Sequence, residues 1–270
     1  MMYMSGTIIV IAISFFVYKA YKNTHDIKIN KIKVPSHQAG QNSLSILHLS
    51  DLHLENISLT PKQLASILKY ERIDLIALTG DFLDRKRSIP KLIPYLRVLR
   101  TLQPTYGTYA VLGNHDYVLK DKDLTYLIEV LENHHCRVLQ NESESFHIDG
   151  QTINIIGIDD YSTQRSDLSA GFKHVQDGTK IVLTHDPTVV LDMKDYTFDY
   201  LMAGHFHGGQ ICYPKAFHLV KMGKLARKNI IKGLHTVHEK PLYISEGLGQ
   251  TGINIRVGSR PEITFHDLAI

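Results

Sequence analysis

The stretch Leu44-Ser45-Ile46-Leu47-His48-Leu49-Ser50-Asp51-Leu52-His53 runs from an apolar segment into a polar end. Leu44–Leu49 reads as a short buried strand. The residues just past it, Asp51 and His53, can bind and catalyse. The same join recurs along the chain. Leu75–Leu78 leads into Thr79-Gly80-Asp81-Phe82-Leu83-Asp84, and Tyr109–Leu112 leads into Gly113-Asn114-His115-Asp116. Ile181–Leu183 leads into Thr184-His185-Asp186. Leu201-Met202-Ala203 leads into Gly204-His205-Phe206-His207-Gly208-Gly209. In open sheets built this way, ligands collect at the carboxyl ends of the strands.

Between the first of these strands the pattern is helical, at Pro61–Tyr70, Ile89–Leu102 and Lys122–His134. Strand–helix alternation implies a largely parallel sheet with covering helices. Later the chain becomes β-rich, at Arg137–Gln140, Ser145–Ile148, Thr152–Ile158, Lys180–Thr184, Tyr200–Ala203, Pro241–Ser245 and Glu262–His266. The expected architecture is α/β, partly α+β: a four-layer αββα sandwich of two mixed β-sheets flanked by helices. Two separate domains are disfavoured, because the polar strand ends come from both halves and need a common site. Gly150, Asp159, Asp160 and Tyr161 read as turn and strand-end residues.

The residue types suit a metal centre. Residues two apart in an extended chain point the same way, so Asp51 and His53 can reach one ion, as can His205 and His207. Glycines at 80, 113 and 204 let the backbone turn where each strand stops. The set mixes carboxylate, amide oxygen and imidazole without thiolate, which suits Mn, Fe, Zn, Ni or Co. If one carboxylate is shared, there are ligands for two divalent ions. Ions about 3.5–4 Å apart clamp the attacking and leaving oxygens of an in-line displacement. Each motif alone is ordinary; all five in one chain are not.

Taken in order, Asp51-x-His53, Gly80-Asp81, Gly113-Asn114-His115-Asp116, His185 and Gly204-His205-x-His207 resemble the calcineurin-like metallophosphoesterase superfamily. The resemblance spans Leu44 to the C-terminus. Gly208-Gly209-Gln210, Gly247-Leu248-Gly249, Ile255-Arg256 and Arg260-Pro261-Glu262-Ile263-Thr264 narrow it. They resemble a bacterial branch of membrane-associated phosphoesterases, some of which hydrolyse the pyrophosphate of UDP-2,3-diacylglucosamine. The resemblance implies that Asp51, His53 and His207 hold one metal with Asp81. It implies that Asn114, His185 and His205 hold the other, with Asp81 as bridge. His115 would be the catalytic acid or hydrogen-bond donor and Asp116 the residue that orients it, with a water sharpened by both cations as nucleophile. Phe206 stands where the motif more often has Thr, Asp116 where many members have Glu, and Ser259 where relatives often carry Cys. The expected function is di-metal hydrolysis of a phosphodiester, phosphomonoester or pyrophosphate near a membrane, on a lipid-linked or nucleotide-lipid substrate. A soluble nucleotide or cyclic nucleotide is the alternative substrate. A non-enzymatic module that kept the fold is the alternative class, and the intact Asp81 and His115 argue against it.

Lys215–Lys232 carries Lys215, Lys221, Lys224, Arg227, Lys228 and Lys232 without an acidic residue, with apolar residues between. It reads either as a solvated basic segment or as a flap beside the metals. As a flap, Lys221, Lys224, Arg227 and Lys228 would meet an anionic headgroup. At the other end, Met1–Tyr18 has no charged side chain and Lys19 and Lys22 come at once after it. We expect residues 1–22 to be an uncleaved transmembrane anchor rather than a signal peptide, because the charges lie after the apolar run and no A-x-A site appears. The downstream lysines favour a cytoplasmic catalytic domain. Residues 23–43 read as a linker, with an early edge strand at Ile27–Val34, and 44–270 as the catalytic domain. The net charge of +3 among 270 residues gives no reason to expect a stable nucleic-acid partner. Cys136 and Cys212 match no zinc or redox spacing.

Overall fold

The structure, a computed structural model, describes residues 2–34 and 43–270, with side chains from residue 8. In chain order the elements are α1 (Met2–Lys22), β1 (Lys28–Val34), β2 (Ser43–Leu49), α2 (Pro61–Leu68), β3 (Leu75–Thr79), α3 (Ile89–Thr101), β4 (Thr108–Val111), α4 (Asp121–Glu132) and β5 (Cys136–Val138). They continue as β6 (Glu142–Ile148), β7 (Gln151–Ile158), α5 (Leu168–Gly171), β8 (Thr179–Thr184), β9 (Tyr200–Ala203), α6 (Lys224–Arg227), β10 (Gly233–Val237), β11 (Lys240–Ile244) and β12 (Glu262–Ala269).

Local chemistry sets the helices. Thr60 caps α2 in a reciprocal box with Gln63, and Pro61 starts the first turn. Leu64 and Leu68, one turn apart, turn inward. In α3 the spacing Leu92, Leu96, Leu99 lays one apolar stripe on the sheet.

Among the described residues the strands form two six-stranded mixed sheets, ordered β1-β12-β2-β3-β4-β5 and β10-β11-β9-β8-β7-β6. Strands β2 to β5 run parallel, as do β7, β8, β9 and β11. One apolar core lies between the sheets, where Ile46, Ala77 and Val111 meet Ile155, Ile181 and Met202. A second core packs α2, α3 and α4 on the outer face of the first sheet, and a third covers the outer face of the second. Two mixed sheets flanked by helices were the expectation from the sequence. Strand β10 was not anticipated; its residues alternate half-buried and exposed, which is the weak signature of an edge.

One expectation holds at the N-terminal end and one changes. Lys28–Val34 forms the edge strand expected at Ile27–Val34, paired in parallel with β12. Its lysines face solvent, which is why its composition resembles that of a linker. Residues 35–42 of that stretch lie outside the described residues. The change concerns the anchor: among the described residues no helix is long and apolar enough to cross a membrane. The described side chains of α1 from Ile8 to Tyr18 are exposed. Below them the helix is tied to the fold: Ala20 is buried, its carbonyl accepts from the Arg256 amide at 2.9 Å, and Asn23 donates to the Arg256 carbonyl at 2.9 Å.

The inter-sheet core holds a polar thread. His48 Nε2 lies 2.8 Å from Thr79 Oγ1, and His48 Nδ1 lies 3.4 Å from His266 Nε2. His266 Nδ1 meets the Tyr200 hydroxyl at 2.9 Å, and Tyr243 packs edge-on against both histidines. Burial pushes the His48 imidazole down to about 3 and His266 in the same direction. Both rings are therefore neutral in the fold, whereas in the unfolded chain they charge near pH 6.5. The stability that neutral burial of His48 carries is complete above about pH 6.5 and is lost as pH falls toward about 3, at roughly 1.4 kcal/mol per pH unit, and His266 acts in the same direction. His48→Gln should remove about that much from the acid slope. Urea midpoints at pH 6.5, 5.5 and 4.5 measure it, and an unchanged slope would show that His48 is not held neutral.

Candidate metal centre

The loops after β2, β3, β4, β8 and β9 converge where the two sheets meet. They are laced by main-chain bonds: Asp51 N donates to Gly80 O, His53 N to Asp81 O and Gly204 N to His185 O, at 3.0 to 3.1 Å. Asp51, His53, Asp81, His205 and His207 all sit at positive φ, between 37° and 76°. For non-glycine residues that backbone is strained, and such strain clusters at functional sites. Convergence therefore comes from left-handed turns, and not from the extended-chain spacing the sequence suggested. The glycines also act differently from expectation. Gly80 does take a positive φ of 78°. At Gly113 and Gly204 the requirement is space, because a Cβ would lie 2.2 Å from an oxygen of Asp81 and of Asp51 respectively.

Asp81 is the hub. Its Oδ2 lies 3.0 Å from His185 Nε2 and 3.4 Å from His53 Nε2, and its Oδ1 accepts the His115 amide at 2.8 Å. On one side, Asp51, His53 and His207 form a buried triplet, with His207 Nε2 3.3 Å from Asp51 Oδ1 and 3.2 Å from His53 Nε2. On the other, His205 Nδ1 lies 3.3 Å from His185 Nε2. Asn114 lines the same cleft, and its Oδ1 is buried without a hydrogen-bond partner among the described residues. The sequence-derived set is thus brought together. Outer partners fix the ring tautomers: His185 Nδ1 donates to Thr79 O at 2.7 Å and His53 Nδ1 to Asp84 Oδ1 at 2.9 Å. Both Nε2 atoms are left facing the Asp81 carboxylate.

The electrostatics ask for positive charge. Burial disfavours a charged His53, but bonds to Asp81 and Asp84 and the charges of Asp81 and Asp51 outweigh it and raise its pKa to about 10. Burial likewise works to raise Asp81, yet the charge of His185 and bonds to His185 and His53 hold it well below the usual range. Facing imidazole nitrogens, clustered carboxylates and the unpaired Asn114 oxygen all fit divalent cations as their common partner. Asp51, His53, His207 and Asp81 would hold one cation, and Asp81, Asn114, His185 and His205 a second.

The geometry corrects one role. Asp116 does not touch the His115 ring. It is fully buried and accepts main-chain N–H groups of Asp81, Phe82 and Gly113 at 2.9 Å, so it locks the loops after β3 and β4 together. The carboxylate that orients His115 is Asp84, whose Oδ1 lies 3.0 Å from His115 Nδ1. Burial opposes charging His115, but that bond and the Asp81 charge outweigh it and raise its pKa. Asp84 went unassigned in the sequence although it stands three residues after Asp81. A turn from Asp81 brings it back over the site, and spacing alone does not report that return.

Two clefts open on the centre. One, of about 400 Å³, is floored by Asp81, Asn114 and His115; the other, of about 720 Å³, shares His205 and Met222 with it. Lys221 lines the second, whereas Lys224, Arg227 and Lys228 are exposed and line neither. Tyr161, read as a strand-end residue, also lines the second.

Comparison with known proteins agrees with this arrangement. The model of the calcineurin-like phosphoesterases matches residues 44–209, and the chain belongs to that family of metal-dependent phosphoester hydrolases. It is 58% identical over 255 residues to the uncharacterized metallophosphoesterase YkoQ of Bacillus subtilis (strain 168), covering 94% of both chains. It is 26% identical over 287 residues to UDP-2,3-diacylglucosamine pyrophosphatase LpxG of Chlamydia trachomatis, covering 85% of both. The structure of TT1561 of Thermus thermophilus gives a TM-score of 0.50 at 13% identity, over 77% of this chain and 91% of that one, a likeness of fold alone.

Proposed function

We propose that the protein hydrolyses phosphodiester or pyrophosphate bonds with two divalent cations, manganese by first choice, on a lipid-linked or nucleotide-lipid substrate at a membrane surface. The observation that carries the reading is Asp81, whose carboxylate faces ligand groups on both sides. Bound cations would supply charge neutralisation of the phosphoryl group and acidification of water. His115, aligned by Asp84, holds a proton for the leaving oxygen. Asp116 keeps the loops carrying Asp81 and His115 in register. The membrane part rests on α1, where Ile8, Val10 and Phe15 are each more than 60% exposed, and on the basic residues around α6. A face of that kind favours an anionic lipid surface, with the catalytic domain on the cytoplasmic side. The LpxG likeness supports the choice of substrate class.

The test is reconstitution. Protein stripped with chelator should not turn over bis(p-nitrophenyl) phosphate, and turnover should return as Mn is added, saturating at two equivalents per chain. Pyrophosphate-linked lipid in phosphatidylglycerol vesicles should be hydrolysed faster than a soluble cyclic nucleotide. Saturation at one equivalent would defeat the two-ion reading. A faster cyclic nucleotide would defeat the lipid reading.

A further inference from the structure

Arg256 is fully buried, and among the described residues its guanidinium bonds to no carboxylate. A buried cation is costly unless its donors are met, so its acceptors show what it holds. Nη1 donates to the His207 carbonyl at 3.1 Å, the Glu246 carbonyl at 2.6 Å and Ser259 Oγ at 2.9 Å. Nη2 donates to the Gly247 and Gly249 carbonyls at 3.1 and 2.7 Å. Ser259 Oγ donates in turn to the His207 carbonyl at 2.8 Å. These acceptors stand behind one half of the metal centre. His207 keeps a strained φ of 50°, and two donors on its carbonyl fix that turn. The loop 246–249, stapled by the same guanidinium, is bonded to the Asp51 turn: Leu248 N donates to Ser50 O at 3.0 Å and Gly249 N to Asp51 O at 2.7 Å. A Cβ at Gly249 would lie 2.8 Å from the His53 Cβ, so this loop also packs on the third ligand of that half. None of the Arg256 bonds goes to Asn114, His185 or His205. The Arg256 main chain is held from the other direction, its amide by the Ala20 carbonyl and its carbonyl by Asn23 Nδ2, both at 2.9 Å.

Resting on the two-cation reading, we infer that Arg256 is the positioning residue for the cation of Asp51, His53 and His207, and that the end of α1 sets where Arg256 sits. Its planar fork spans the His207 turn and the loop 246–249 together, which the single ammonium of a lysine does not. Docking of α1 and affinity for that one cation are then coupled: what loosens the first weakens the second. The cation of Asn114, His185 and His205 stands outside this coupling.

Calorimetric titration of Mn into the full chelator-stripped chain reads this without turnover. The parent should bind Mn in two steps, with a spin-coupled pair in electron paramagnetic resonance at two equivalents. Asn114→Ala marks the step that belongs to the other half. Arg256→Lys should weaken the remaining step by about 10- to 100-fold, spare the marked one, and turn the coupled spectrum into that of a lone ion. Ser259→Ala should weaken the same step about fivefold and Asn23→Ala about threefold, each from one lost hydrogen bond. Should Arg256→Lys not fold, as a thermal melt would show, these two smaller variants decide by the same readings. Equal weakening of both steps, weakening of the marked step alone, or no change in either would overturn the assignment. An unchanged titration for Asn23→Ala would remove α1 from it. A parent with a single step would defeat the two-cation reading, and Arg256 would then stand or fall on whether Arg256→Lys weakens that step.

Discussion

Asp81→Asn is expected to lower kcat on bis(p-nitrophenyl) phosphate by about 10³-fold and to reduce retained metal from two ions per chain to one or none. Asp81 Oδ2 is 3.0 Å from His185 and 3.4 Å from His53, so both halves of the centre lose their shared charge at once. The amide also turns a donor toward one imidazole nitrogen where an acceptor stood. Losing several kcal/mol of transition-state stabilisation, at about 1.4 kcal/mol per tenfold, gives that magnitude. The fold should persist, because the loop is also held by the His53 amide on the Asp81 carbonyl and by Asp116 on its amide. Metal analysis by mass spectrometry and a thermal melt separate loss of the centre from loss of the fold. Two retained ions with activity within tenfold of the parent would remove Asp81 from the bridging role.

His115→Ala should cut turnover by about 10²-fold or more while both ions stay bound. Its ring reaches Asp84, not the carboxylates of the centre, and about a third of the side chain is exposed to the cleft. Asp84→Asn should behave differently. Asp84 Oδ1 also accepts from His53 Nδ1, so this variant should lose turnover and weaken metal binding by about 10- to 100-fold together. Asp116→Asn, with no contact to the His115 ring, should instead lower the melting temperature. Metal titration beside kcat for the three variants tests the assignment. If Asp84→Asn kept normal metal affinity and Asp116→Asn shifted the pH profile of turnover, the orienting role would return to Asp116.

The site was legible in large part because its ligands stand directly after apolar strands. Asp51, Asp81, Asn114, His185, His205 and His207 could each be found by reading past the end of a strand, and the structure brings them together. The helices were legible for a similar reason, since the cap at Thr60 and the stripe Leu92, Leu96, Leu99 are local signals. The strand β1 was harder to separate from a linker, because an edge strand with a solvated face has the composition of a loop.

The sequence by itself determined the chemistry of the centre and the alternation that builds two covered sheets, because both are written in residue type and short-range spacing. Tertiary structure alone decided which carboxylate holds His115, how Asp51 and His53 converge through left-handed turns, and that two clefts open on the centre. Those outcomes depend on main-chain bonds and cleft walls contributed by segments far apart in the chain, whose relative position no local pattern encodes.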